Sequence, residues 1–186
     1  ASLAPYDARA LAEPRAEARR ALALAALSLK ARSGAPFAAE MRAFLAEPQS
    51  GPLPAFVADR ADAGIPSIAA LAAAFPGHHR AALAAGRRAE ARGAAANFGV
   101  SLASLVNLRP AGPRRGDSTA AVLSRVEAAA VAGDIARAVA EAEALNPGAA
   151  AALKPWLDEA RVRLTVEDAL AERERAVFAA LGPGRP

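Results

Sequence analysis

The sequence predicts an all-α protein, a bundle of helices joined by short connections. Alanine supplies 58 of the 186 residues, and alanine has the highest helix propensity of any residue. Aromatic residues make up only 4% of the chain, and β-branched residues are sparse, which disfavours strands. Apolar residues recur at helical spacing between short breaks that contain proline or glycine. Because alanine buries little area per side chain, such helices often rely on partner chains, and we expect the protein to form oligomers.

The N-terminal half divides into helices at proline- and glycine-containing breaks. The first helix is predicted from near Asp7 to Ala31, and several of its apolar residues lie roughly on one face: Leu11, Ala18, Leu22, Ala25 and Leu29. Residues 47–54, rich in proline and glycine, form the clearest linker. On either side of the linker we predict helices over 37–45 and 55–63. A further helix is capped by Ser67 and ends after Phe75, at Pro76-Gly77. The next helix runs from His78 to Arg92.

The C-terminal part predicts an up-down bundle over 117–181. Asp117 or Ser118 caps a helix that runs to Ala132, and Gly133-Asp134 forms a tight turn before a return helix. The return helix covers 135–145, a second turn follows over 146–148, and the last helix runs from Ala149 or Pro155 to Leu181. Because these connections are short, neighbouring helices should pack antiparallel.

This division gives the chain four regions. Residues 1–47 form an N-terminal helical segment suited to a coiled coil or to oligomerisation, and 55–93 form a second helical region. Residues 94–116 form an amphipathic segment with a basic hinge, and 117–181 form the C-terminal helical domain. Four residues are candidates for a partner or oligomer interface: Leu22, Leu29, Trp156 and Leu164. For Trp156, the sole tryptophan, a buried position in the core is the alternative.

Positive charge is concentrated in the middle of the chain. The net charge is +4, but residues 78–115 hold seven Lys/Arg and one acidic residue, which gives this band a charge of +6. Such a band attracts phosphate groups, on lipids or on nucleic acid. A nucleic-acid interface is disfavoured, because Phe98 is the only aromatic residue of the band and no recognition motif is present.

The basic band contains a short segment with a lipid-binding pattern. At 100° per residue, a helix over 98–108 would group its large apolar residues on one side, followed by the arginines of a Pro/Gly hinge. The predicted membrane-binding residues are Phe98, Leu102, Leu105, Val106, Leu108, Arg109, Arg114 and Arg115. A helix at a membrane interface has this pattern. An amphipathic helix packed on its own domain has it too, so residues alone leave both interpretations open.

No residue pattern indicates catalysis or a cofactor. The chain has no cysteine, and its only histidines, His78 and His79, would point about 100° apart on a helix, which makes them a poor pair of metal ligands. The acidic residues of the last helix alternate with arginines, as in helical ion pairs. We therefore expect no enzyme activity, no metal and no cofactor. No run of residues is apolar enough to span a bilayer, and any membrane anchor is expected upstream of Ala1.

Several stretches, in order along the chain, resemble the mitofilin family, and in particular its alphaproteobacterial members. The central stretch is Ser104-Leu105-Val106-Asn107-Leu108-Arg109-Pro110-Ala111-Gly112, followed by Gly116-Asp117. Residues 63–71 and 74–76 resemble the region before it. Residues 123–129 and 133–141 resemble the family's helical hairpin, and 156–164 resemble its last helix. The resemblance covers most of the chain and is weakest over 1–60.

The resemblance implies a scaffold of membrane architecture. In mitochondria the family organises cristae junctions, and in alphaproteobacteria it is linked to intracytoplasmic membranes. Such proteins are anchored in the inner membrane, carry a coiled coil, and face the periplasm or the intermembrane space with their soluble part. By this mapping, 98–108 corresponds to the lipid-binding helix and 117–181 to the mitofilin domain. The implied partners are an anionic phospholipid membrane, further copies of the chain, and outer-membrane assembly proteins.

One alternative function remains open. The Gly133-Asp134 hairpin with its flanking alanines resembles tetratricopeptide spacing, which favours a helical-repeat adaptor that binds a protein partner in a groove. A stable array of such repeats needs about three of them, and only one hairpin is apparent.

Overall fold

The computed structural model describes residues 12–96 and 116–180, and in these ranges every element is an α-helix. The predicted all-α fold class is confirmed. The helices are α1 (Ala12–Ser33), α2 (Ala38–Leu45), α3 (Ala55–Ala58), α4 (Ile68–Ala96), α5 (Thr119–Val131), α6 (Ile135–Ala142) and α7 (Pro147–Ala180). The chain divides into two compact units: unit 2 is Pro66–Leu164, and unit 1 is the chain before Pro66 together with the chain from Thr165 onward.

Local cap chemistry sets the helix ends of unit 2 largely as the sequence predicts. The Ser118 hydroxyl accepts the Ala121 N–H at 3.3 Å, and the Asp134 carboxylate accepts the Arg137 N–H at 2.9 Å. Gly133 has φ 80°, the left-handed conformation that glycine adopts at helix ends. Asn146 caps α7 through a 2.9 Å bond from the Ala149 N–H, so α7 begins at Pro147 rather than at Ala149 or Pro155.

The prediction that Pro76-Gly77 ends a helix is wrong, because α4 runs through it without interruption. Proline removes one helical hydrogen bond, yet Leu71 and Phe75 before it and Ala82 after it are all buried in one core. Pro76 itself is exposed. Water can therefore bond to the carbonyl group four residues before it, which receives no N–H from the proline. Burial along the whole helix therefore outweighs the local helix breaker.

The core of unit 2 is built around Trp156, whose side chain is only 1% exposed. Its indole N–H donates to the carbonyl oxygen of Leu71 at 2.9 Å. Its ring meets that of Phe75 edge-on, with 5.1 Å between the centroids. Leu164, the other interface candidate in this unit, is half-buried and packs against the same core. Around this centre, small and branched side chains of α4 to α7 fill the remaining space.

Unit 1 buries the side of α1 that carries Leu24, Leu27 and Ala31. The other buried apolar residues of this unit are Phe37, Phe44, Val57, Ala61, Ile65, Val166, Leu170 and Val177. A close backbone contact joins two of its loops: a Cβ on Gly64 (φ 79°) would lie 2.7 Å from the carbonyl oxygen of Gly34. Only glycine is tolerated at such a position.

We predict that Trp156→Phe destabilises the protein by about 1–3 kcal/mol, because the buried indole N–H bond to the Leu71 carbonyl is lost and the smaller ring leaves a gap in the core. The measurement is urea denaturation followed by far-UV circular dichroism. Phe178→Leu, at a side chain that is 60% exposed, is the control and should cost less than about 0.5 kcal/mol. Equal costs for the two variants would contradict the central role of Trp156.

Candidate functional site

All eight predicted membrane-binding residues lie outside the described residues, within 97–115. The structure therefore does not test the arrangement predicted for them. It does describe both flanks of this stretch: the end of α4 on one side, and Gly116 with the start of α5 on the other. These flanks and the exposed surface of α4 next to them form the described part of the candidate site.

A polar contact ties the two flanks together. The Thr119 hydroxyl, at the first residue of α5, donates to a carboxylate oxygen of Glu90 on α4 at 2.7 Å. Glu90 and Thr119 are separated by 29 positions of sequence, most of which belong to the basic band. The two described flanks of residues 97–115 are therefore in direct contact within unit 2.

Asn146, just before α7, extends this contact into a small network. Its amide nitrogen donates to the Thr119 hydroxyl oxygen at 2.9 Å and to the Gly86 carbonyl oxygen at 3.4 Å. Its side-chain oxygen accepts the Ala149 N–H that begins α7. We call these residues, Gly86, Glu90, Thr119 and Asn146, the Thr119 cluster. The cluster joins α4, α5 and α7 at one place.

Small residues allow the backbones to come close enough for the Thr119 cluster to form. A Cβ on Gly86 would lie 2.6 Å from Cγ2 of Thr119, which is too close for any real pair of atoms. A Cβ on Gly148 would lie 3.0 Å from the Cβ of Ala89. Thr119 is β-branched, buried and hydrogen-bonded, so it cannot easily move aside.

From its middle to its C-terminal end, α4 presents four arginines to solvent. Arg80, Arg87, Arg88 and Arg92 are all exposed. At 100° per residue they fall within an arc of about 140°, on the side of the helix opposite its buried residues Phe75, Ala82 and Gly86. The sequence placed this charge within the basic band but gave no indication that it lies on one face. We call this surface the α4 arginine face.

The remaining predicted residues separate into a buried pair and an exposed pair. Trp156 is in the core, the alternative that the sequence left open, and Leu164 is half-buried against that core. Leu22 and Leu29 of α1 are 75% and 73% exposed. They lie in unit 1 with Ala18 and Ala25, which are also exposed.

Of the two histidines, His79 contacts an acidic and an aromatic side chain. Nδ1 of His79 lies 3.4 Å from a carboxylate oxygen of Glu127, and the ring of His79 stacks at an angle on Phe75. Within 12–96 and 116–180, no group of three or more His, Cys, Asp or Glu residues is placed to hold a metal ion. Within the same ranges, each helix is too short or too polar to cross a bilayer.

Unit 1 carries an apolar groove that the sequence did not predict. Its volume is about 360 Å³, and it lies between α1 and the end of α7. The groove is lined by Ala21, Leu24, Ala25, Leu29, Arg32, Glu174, Val177 and Phe178. One guanidinium nitrogen of Arg32 lies 3.1 and 3.2 Å from the two carboxylate oxygens of Glu174. The missed residues are those of α7, because nothing local in the sequence shows that α7 returns to α1.

Partial burial raises the pKa of the Glu174 carboxyl, but the nearby Ser28 hydroxyl and the hydrogen bonds and charge of Arg32 lower it more, so the pKa lies below its ordinary value of 4.5. A carboxyl with a lowered pKa in the folded state stabilises the protein above the pKa of the unfolded chain, and this contribution disappears as the pH falls through the lowered value.

The comparisons with known proteins add no relative. No family model, no curated protein and no solved structure matches the chain. The candidate site therefore rests on the Thr119 cluster, the α4 arginine face and the sequence between them.

We predict that Gly86→Ala destabilises the protein by about 1–3 kcal/mol, because the added methyl group collides with Thr119. The matched control is Gly77→Ala in the same helix, where a Cβ would meet nothing within 4 Å. The control should gain up to about 1 kcal/mol from helix propensity. Urea denaturation measures both changes, and a stabilising Gly86→Ala would contradict the close approach of α4 to α5.

We predict that Glu174→Gln lowers stability more at neutral pH than at low pH. The ion pair is partly exposed, so the difference should be below about 1 kcal/mol, present above pH 4.5 and shrinking at lower pH. The free energy of unfolding of both proteins, measured from about pH 7 to about pH 3, tests this. Arg32→Gln removes the same pair from the other side and should give the same profile. Curves that stay parallel over the whole range would show that the pair does not set the carboxyl pKa.

Proposed function

We propose that this protein is a non-enzymatic scaffold that organises a membrane. It binds anionic phospholipid through the amphipathic segment 98–108 and the neighbouring arginines, and it associates with further copies of itself. The observation that carries the proposal is the Thr119 cluster, which holds both flanks of the 97–115 stretch at one place of unit 2.

A stretch held at both ends is suited to contact a flat partner. The free-energy cost of fixing a loop falls when its ends are already close together. Binding of the segment to a surface therefore costs less than binding of a free chain. Phe98, Leu102, Leu105 and Val106 are the residues assigned to the apolar interior of the interface, where each buried side chain contributes about 1.5–3 kcal/mol.

Charge supports a surface that bears phosphate groups. The α4 arginine face precedes the segment, and Arg109, Arg114 and Arg115 follow it. Each arginine near an anionic surface contributes about 1 kcal/mol. An anionic phospholipid membrane supplies both the negative charge, on its headgroups, and the apolar layer, from its acyl chains, whereas nucleic acid supplies mainly the charge.

The resemblance to the mitofilin family supports the same proposal and suggests its setting. In that setting the chain belongs to a protein anchored in an inner membrane, with this part facing the periplasm and outer-membrane assembly proteins among its partners. The Thr119 cluster, the segment and the arginines support the membrane function, while only the resemblance supports the location and these partners.

We predict that Phe98→Asp with Leu102→Asp weakens binding to anionic vesicles by at least about 100-fold, since two apolar side chains are lost. The measurement is co-sedimentation with vesicles of phosphatidylglycerol and phosphatidylcholine. The matched control is Ala136→Asp with Ala140→Asp, which adds the same charge at the same spacing on exposed positions of α6. The control should bind nearly as the parent protein does.

Two further results separate the candidate functions. Arg87→Gln with Arg88→Gln should weaken vesicle binding by roughly 30-fold at low salt, since two surface charges are lost. Binding that is unchanged in the Phe98/Leu102 variant would overturn the membrane assignment. A parent protein that does not bind vesicles at all would favour the helical-repeat adaptor.

A further inference from the structure

The exposed side of α1 has the composition of an interface rather than of a solvent-facing surface. Leu22 and Leu29 are three-quarters exposed, and Ala18 and Ala25 lie exposed beside them on the same side of the helix. This side is separate from the one that Leu24, Leu27 and Ala31 bury in unit 1. We call the four residues Ala18, Leu22, Ala25 and Leu29 the outer face of α1.

The spacing of the outer face matches helix-to-helix packing. Its residues follow one another at intervals of four, three and four positions. Alternating intervals of three and four keep apolar residues on the one side of a helix that packs against a partner helix. Charged residues stand at its two ends, Arg15 before Ala18 and Arg32 after Leu29. A surface helix that faces only water has no need for such a seam.

The pattern is complementary to itself when it is reversed. Small and large residues alternate along it, and the four-three-four spacing reads the same in both directions. In an antiparallel pair of α1 helices, Leu22 of one copy therefore faces Ala25 of the other, and Leu29 faces Ala18. Leucine against alanine fills space evenly and lets the two backbones approach closely, as good core packing requires.

The groove of unit 1 lies where this pairing needs a recess. Ala25 lines the groove together with Ala21, Val177 and Phe178, so a leucine that faces Ala25 sits at the groove's edge. Phe178 is 60% exposed and adds a second large apolar side chain next to it. Projection and recess thus occur on one surface, which a two-fold symmetric contact requires.

We propose that unit 1 binds a second copy of this chain through the outer face of α1, with the two α1 helices antiparallel and Leu22 of each copy seated over Ala25 of the other. This surface deepens the self-association that is part of the proposed function. The same register brings Arg15 of one copy to the Arg32–Glu174 pair of the other, where Glu174 offsets one of the two positive charges.

The size of the surface sets the strength of the contact. Residues 15 to 32 span about 26 Å of helix, and α1 with the adjoining end of α7 is about 20 Å wide. The contact therefore covers roughly 500 Å² per copy, or about 1,000 Å² in total, at the lower limit for specific interfaces. A dimer of this size is weak and depends on concentration, so the experiment must cover a wide concentration range.

Sedimentation equilibrium from about 1 to about 500 μM tests the proposal. The parent protein should be monomeric at the low end and dimeric at the high end, and Leu22→Asp should shift this transition at least tenfold upward in concentration. The control is Val131→Asp, which adds the same charge at a residue of α5 with 73% exposure and should leave the transition in place. A parent protein that is monomeric throughout, or a dimer that Leu22→Asp leaves unchanged, overturns the proposal.

Disulfide trapping tests the antiparallel arrangement, because the chain has no cysteine of its own. A mixture of Leu22→Cys and Ala25→Cys proteins should form the mixed disulfide in preference to either homodimer. Preferential disulfide bonding between two copies of the Leu22→Cys protein would indicate parallel helices and contradict the register.

Vesicle binding distinguishes the α1 contact from the proposed membrane function. A Leu22→Asp protein that still binds vesicles supports two separate surfaces. A parent dimer that binds no vesicles overturns the membrane function and leaves the α1 contact standing.

Discussion

Close approach of helix backbones is the constraint on which the described structure depends. An alanine-rich chain buries little apolar area per residue, so its helices gain packing energy only when they come very near each other. At the Gly86–Thr119 contact no room remains for a methyl group, and Gly148 meets Ala89 almost as tightly. The polar groups brought together there bond to each other, with Asn146 linking three helices. Large side chains are few, and Trp156 is the largest fully buried side chain of the described residues.

Elements with local chemistry were predictable from the sequence. The cap residues Ser118 and Asp134 and the turn at Gly133 act through neighbouring backbone groups, and each lies where the pattern indicates. Pro76 was misjudged because its effect depends on Leu71, Phe75 and Ala82, which meet only in the folded core. The strength of such long-range burial cannot be inferred from a window of neighbouring residues.

The same contrast between local and long-range effects applies to the candidate site. The basic band was apparent as a count of charges, but its concentration on one side of α4 follows from helix geometry together with the buried side of that helix. On α1, apolar residues occur on two sides, and the sequence alone could not decide which side is buried. The structure buries Leu24 and Leu27 and exposes Leu22 and Leu29. The end of α7, including Glu174 and Phe178, joins α1 from a distant part of the chain, with 142 positions between Arg32 and Glu174, beyond the reach of any local pattern.

These features support the proposed mode of action, in which unit 2 carries a membrane-binding segment and unit 1 links copies of the chain. The direct test uses spin labels on single cysteines that replace Leu105 or Val131, since the chain has no cysteine of its own. On adding anionic vesicles, the label at 105 should become more accessible to oxygen and less accessible to a water-soluble nickel complex, while the label at 131 stays unchanged. If both labels remain equally accessible to the nickel complex, the segment does not enter the membrane, which contradicts the proposed membrane function.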